Sequence, residues 1–164
     1  MNILEEIAQK TKERIEAKKK ELPLEVLKEK AQKMDANTGF PFEKALKKEG
    51  VSFICEVKKA SPSKGIIAKD FPYVEIAKAY EKEGASAISV LTEPYYFQGA
   101  DRFLEEIHQE VSIPLLRKDF TVDAYMIYEA KVIGASAVLL ICALLRSEER
   151  RVGKECRSRW SPYH

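Results

Sequence analysis

Residues 53–65 read FICEVKKASPSKG, and the fold turns on how this stretch is read. It opens as an apolar strand and closes in a Ser-Pro-Ser-Lys-Gly loop. Side chains alternate between the two faces of a strand. Phe53, Cys55 and Val57 therefore share one face, suited to packing under helices. Ile54, Glu56 and Lys58 share the other. An acid and a base at the end of an apolar strand need a reason, because buried charge is costly unless it is paired or used. The plain alternative is a strand end that dips into solvent.

The chain on either side supplies a rhythm. Upstream, residues 2–20 carry Ile3, Leu4, Ile7 and Ile15 among dense charge, which predicts a surface helix with one apolar stripe. LEVLKEKAQKM predicts a second helix after Pro23, and DANTGFP (35–41) a loop. PFEKALKKEG predicts a short helix closed by Gly50 as its C-cap. Downstream, strands at SFICEV, ASAISVL, IPLLRK and ASAVLLI alternate with helices at YVEIAKAYEKEG, DRFLEEIHQEV and VDAYMIYEAKVIG. Four strands in such alternation predict parallel βα units. EGASAISVL at 83–91 is echoed by IGASAVLLI at 133–141, each a helix end, a small-residue turn and a buried strand. The plain reading of this echo is shared αβ-turn grammar; the other is a repeated (βα) architecture.

In a βα barrel the face carrying Glu56 and Lys58 points inward, and its C-terminal end opens into the active site. Leu116 and Lys118 repeat the theme, with Lys118 ending the third strand. First and third strands contribute to the same interior layers. Lys58 and Lys118 are thus expected to approach one another at the barrel mouth, with Glu56 one layer below Lys58. A glutamate beside two ammonium groups favours the ionised form of all three. That constellation suits an anionic substrate that needs a general acid.

Composition narrows the function classes. Hydrophobic residues make up 45% and charged residues 33% of 164, an ordinary balance for a soluble domain with a sizeable core. No apolar run approaches the roughly 20 residues that span a bilayer, and MNILEEIAQKTKER lacks an apolar signal core. A cytoplasmic protein with no membrane partner is expected. Cys55, Cys142 and Cys156 form no short-spaced ligand pair, so neither a metal site nor a disulfide framework is expected. Of the net charge of +2, the segment from Arg146 onward carries +3 and the rest −1, leaving a near-neutral body without a nucleic-acid footprint.

EVKKASPSKG, ISVLTEPYYFQGA and LLRKDF, the last followed by VDAYMIYEA, resemble in order and spacing the indole-3-glycerol-phosphate synthase family of tryptophan biosynthesis. The helices before the first strand resemble the family's extension to its barrel. The resemblance covers about residues 1–145. It implies a (βα)8 TIM-barrel fold, of which this chain holds the helical extension (1–50) and about four βα units (51–145). It implies a decarboxylating, dehydrating ring closure of 1-(2-carboxyphenylamino)-1-deoxyribulose 5-phosphate, a phosphorylated small molecule, without metal or organic cofactor. By motif position Lys118 matches the general acid. Lys58 matches the lysine that binds the substrate carboxylate and assists proton transfer, and Glu56 the glutamate that orients both ammonium groups. Ser61 matches a residue at the phosphate end of the site. Phe97 and Phe120 match aromatics around the anthranilate ring. On their own, Ser61 to Ser63 read as a turn and Phe97 as a loop-packing residue.

The departure from the family is one of completeness. A full barrel needs eight strands in about 250 residues. The fifth to eighth strands, the second catalytic carboxylate and the main phosphate loops have no counterpart here. RSEERRVGKECRSRWSPYH (146–164) lacks apolar periodicity and is expected to be a non-native tail rather than a basic nucleic-acid arm. An open half-barrel exposes two sheet edges, so self-association and lack of synthase activity are expected of the chain alone. The alternative function is a non-catalytic half-barrel module that assembles with a partner. A related phosphate-sugar isomerase barrel stands further off, because it lacks both lysines within this Ser-Pro-Ser and Lys-Asp-Phe framework.

Overall fold

The computed structural model describes residues 2–35 and 38–145. The elements run α1 (Ile3–Glu21), α2 (Leu24–Lys33), α3 (Pro41–Leu46), β1 (Ile54–Val57), β2 (Ala60–Ser61), β3 (Gly65–Ile66) and α4 (Tyr73–Lys82). They continue with β4 (Ala87–Leu91), α5 (Asp101–Glu110), β5 (Leu115–Lys118), α6 (Ala124–Val132), β6 (Ala137–Val138) and a 3₁₀ turn at Cys142–Leu144. The chain divides into two compact units.

The larger unit comprises Phe40–Asp119 and Ala130–Leu139. Its centre is a parallel sheet in the order β1-β4-β5-β6, the arrangement expected of consecutive βα units. Among the described residues the sheet does not close into a barrel. β4, AISVL, is apolar at every position but Ser89 and buried at all of them, as befits a central parallel strand covered on both faces. Val57, Ile88, Val90 and Leu115 from the strands pack with Ala77 of α4 and with Phe103, Leu104 and Ile107 of α5 in one core. The α5 trio recurs at helical spacing, so its apolar stripe meets the sheet while Glu105 and Glu106 stay outside.

The echoed Gly-Ala-Ser segments fold into one and the same turn. Gly84 and Gly134 both adopt positive φ, +88° and +93°, a region that glycine enters without a Cβ penalty. In the first turn Gly84 N donates to Glu81 O, Ala85 N to Tyr80 O and Ser86 N to Phe53 O. In the second Gly134 N donates to Lys131 O, Ala135 N to Ala130 O and Ser136 N to Leu115 O. Each turn ends a helix and ties the next strand to the start of the preceding one.

Four expectations need correction. Phe53 is 61% exposed whereas Val57 is 1% exposed: ladder pairing starts only at Ile54↔Ala87, so Phe53 precedes the covered part of the strand. α3 ends at Leu46, capped by Lys47, and Gly50 (φ +91°) lies beyond it. The Ser-Pro-Ser-Lys-Gly loop is a small hairpin, β2–β3, in which Ala60 pairs Ile66 and Ser61 pairs Gly65. The fourth strand is cut to Ala137–Val138, because β6 lies at the sheet edge with β5 as its ladder partner.

The second unit gathers the described residues of Met1–Gly39, Phe120–Glu129 and Leu140–His164. α1 starts with a capping box: Asn2 Oδ1 accepts from Glu5 N (2.9 Å) and Glu5 Oε2 accepts from Asn2 N (3.1 Å). Ile7 and Ile15 of its predicted stripe are buried, along with Leu27 and Ala31 of α2, while Ile3 is exposed. Lys18 pairs with Glu129 (2.6 Å) and Lys19 with Asp123 (2.7 Å). The segment from Arg146, read above as a tail, lies outside the described residues.

Candidate active site

The parallel sheet delivers three charged side chains to one place. Ladder register sets Glu56 level with Ser89, and Ser89 level with Leu116. Lys118 stands opposite Leu91. Lys58, one step beyond the Val57↔Val90 pair, reaches that same level. Glu56 therefore sits one layer down and between the two lysines. Its carboxylate accepts from Lys58 Nζ at Oε1 (2.5 Å) and from Lys118 Nζ at Oε2. Lys58 and Lys118 thus approach one another through Glu56, as strand alternation predicts.

The three side chains are 24% (Glu56), 33% (Lys58) and 38% (Lys118) exposed, so solvent reaches the cluster and a small anion can too. Burial pushes the Glu56 carboxyl up. The hydrogen bonds and positive charges of Lys118 and Lys58 outweigh it and hold the group below its ordinary value. Glu56 is thus an anion at neutral pH, bridging two cations. An incoming carboxylate or a developing oxyanion can take over part of either ammonium's hydrogen bonding and balance the second positive charge, which Glu56 alone does not match.

The remaining predicted residues lie in the segments that follow the strands. Ser61 is half-buried in β2, and its Oγ accepts from Lys64 N (3.3 Å), which closes the hairpin turn. Phe97 is half-buried in the loop between β4 and α5, and Phe120 is half-buried two residues after Lys118. Among the described residues, no three His, Cys, Asp or Glu side chains gather as a metal site.

Sequence reasoning passed over Glu93. This residue is fully buried, and its carboxylate accepts from the backbone N–H groups of Tyr95 (3.0 Å), Tyr96 (2.7 Å) and Phe97 (3.1 Å). Gly99 N donates to Glu93 O (2.8 Å), closing the loop back on its origin. A side chain at Gly99 would meet the Leu91 carbonyl oxygen at 2.3 Å. The loop carrying Phe97 is therefore wound around a buried anion and pressed against the end of β4. The available signal is the acid two residues after an apolar run and directly before a proline, in VLTEP.

The family profile described as indole-3-glycerol phosphate synthase matches residues 4–159. The chain belongs to this family. It is 56% identical over 146 residues to an indole-3-glycerol phosphate synthase of Ruminiclostridium cellulolyticum, covering 89% of this chain and 56% of the relative. Identity to that of Lachnoclostridium phytofermentans is 51% over 158 residues, covering 90% of this chain and 58% of the relative. For that of Endomicrobium trichonymphae it is 56% over 143 residues, 87% and 55%. The chain thus spans a little over half the length of the curated relatives it matches.

Proposed function

We propose that this chain is the N-terminal part of an indole-3-glycerol-phosphate synthase and that Glu56, Lys58 and Lys118 form one side of its active centre. The observation that carries the reading is the pairing of both ammonium groups with one carboxylate at the C-terminal ends of β1 and β5. The substrate is 1-(2-carboxyphenylamino)-1-deoxyribulose 5-phosphate. Lys58 holds its carboxylate. The ring carbon bearing that carboxylate attacks the ketone carbon, and Lys118 donates a proton to the carbonyl oxygen. Carbon dioxide departs, rearomatising the ring. The hydroxyl then leaves as water, taking a proton from Lys118 once that amine has regained one from solvent, while the neighbouring methylene carbon gives up a proton to solvent and the indole forms. Glu56 aims both lysines. Ser61 lies towards the phosphate, and Phe97 and Phe120 enclose the aromatic ring. The reaction is a decarboxylating lyase reaction of tryptophan biosynthesis in the cytoplasm.

The four strands account for half of an eight-stranded (βα)8 barrel. Its other half pairs with the outer edges of β1 and β6. Those edges, with Val51 and Phe53 exposed just before β1 and Ile54 exposed at its start, give the 164-residue chain a tendency to self-associate. The decisive experiment joins residues 1–141 to the matching C-terminal remainder of the Ruminiclostridium relative. This chimera rescues a tryptophan auxotroph blocked at indole-3-glycerol phosphate, and the 164-residue chain alone does not. Failure of a well-expressed chimera, with rescue by the intact relative, rejects the proposal.

A further inference from the structure

A second polar cluster lies behind Lys118, on the opposite face of β5. Arg117, Asp119 and Thr92 are each 2% exposed, a depth at which ionised groups are rarely found without a task. Thr92 is the hub. Its Oγ1 accepts from Arg117 Nε (3.2 Å) and donates to Asp119 Oδ2 (2.9 Å). Its backbone N donates to the carbonyl oxygen of Lys118 (3.1 Å). Arg117 Nη2 reaches on to Asp101 Oδ1 (2.8 Å), in the first turn of α5, and stands 3.8 Å from Asp119 Oδ2.

The residues before and after Lys118 are therefore both bound, by their side chains, to one hydroxyl, while Lys118's own carbonyl is bound by the same residue's amide. Three consecutive residues at the end of β5 are fixed to a single residue just past the end of the neighbouring strand β4. Such a bracket removes the freedom of the Lys118 backbone, so that its long side chain starts from one position and one direction. The arrangement also ties the end of β5 to α5, the helix that follows the loop carrying Phe97.

We propose that Thr92, with Arg117 and Asp119, is a positioning group that aims Lys118 at Glu56 and at the substrate side of the sheet. Its relevance to turnover rests on the synthase reading of Lys118. The aiming itself does not.

The test reads Lys118 directly. The 164-residue chain is acylated with a trace of acetic anhydride across pH 7 to 10, and each lysine's rate is followed by mass spectrometry. Lys78, ion-paired with Glu110 elsewhere in the same unit, is the internal reference. Thr92→Val removes the hydroxyl and keeps the shape. It should raise the rate of Lys118 relative to Lys78 by about 2–5-fold, the scale set by loss of a partly exposed ion pair. Thr92→Ser, which keeps the hydroxyl, should match the parent. An unchanged Lys118 to Lys78 ratio in Thr92→Val overturns the proposal. If Thr92→Val lifts all lysines together, the fold has been lost and Asp119→Asn decides: a selective rise at Lys118 supports the bracket, and an unchanged ratio rejects it. Labelling needs no turnover, so its outcome is separate from that of the auxotroph rescue.

Discussion

Lys118 and Glu56, 62 positions apart in sequence, share a hydrogen bond at the C-terminal ends of two strands that are not neighbours in the sheet. β4 lies between them, and its Ser89 and Leu91 occupy the intervening register positions. The pair exists because two strands ended by charge are held one strand apart by an apolar one. Lys58 completes the cluster from Glu56's own strand.

The first consequence concerns acid. Glu56 titrates below its ordinary value in the folded chain, so it binds its proton more weakly folded than unfolded. Its contribution to stability is fully present above the unfolded carboxylate pKa of about 4.3 and is lost as pH falls through the lowered folded value. Urea unfolding between pH 6 and pH 3 should show this loss in the parent. Glu56→Gln should start less stable at pH 6 and lose less over the same interval. An equally steep loss in both proteins assigns the acid sensitivity to other carboxylates.

The two equivalent αβ turns make a matched pair of tests. A Cβ at either Gly84 or Gly134 forces a positive-φ alanine, at a cost of about 1–2 kcal/mol. At Gly84 the Cβ meets open space, whereas at Gly134 it lies 2.3 Å from the His108 ring. Gly134→Ala should therefore lower the urea midpoint further than Gly84→Ala. His108 is exposed, so the excess is small and should disappear in a His108→Ala background. An excess that survives His108→Ala places the strain elsewhere.

Removing the anion inside the β4–α5 loop should unwind that loop. Glu93→Ala leaves the amides of Tyr95, Tyr96 and Phe97 without their carboxylate acceptor, a loss of about 1–3 kcal/mol for a buried unmet donor. Amide exchange at these three positions should accelerate at least about tenfold, the factor that corresponds to 1.4 kcal/mol. Exchange at Ile88 and Val90, in the strand interior, should change far less. Equal acceleration in the strand would mean that Glu93 supports the whole sheet rather than the loop.

Much of this arrangement was legible in the sequence, and the parts that were not share a physical cause. A period of two along ICEVK and LLRK places Glu56, Lys58 and Lys118 on one face, and glycine at 84 and 134 marks both helix ends. These signals are local. The shortness of β6 is not, since a strand is as long as its partner lets it be. Phe53 looked internal because alternation reports the face of a side chain and not what covers that face. Thr92, Glu93 and Arg117 escaped notice because polar residues at strand ends ordinarily face water. Only the packed structure turns them inward, each with a partner waiting.

The most direct measurement is steady-state kinetics on the purified chimera of residues 1–141 with the Ruminiclostridium C-terminal remainder, comparing the parent with Lys118→Met. The methionine side chain, one heavy atom shorter than lysine and likewise unbranched, fills most of the space without a proton to give. Loss of a general acid typically costs about 10²–10⁴-fold in rate, so kcat should fall by at least 100-fold while KM changes only a few-fold. A Lys118→Met chimera that turns over at the parent's kcat would contradict the assignment of Lys118 as the proton donor.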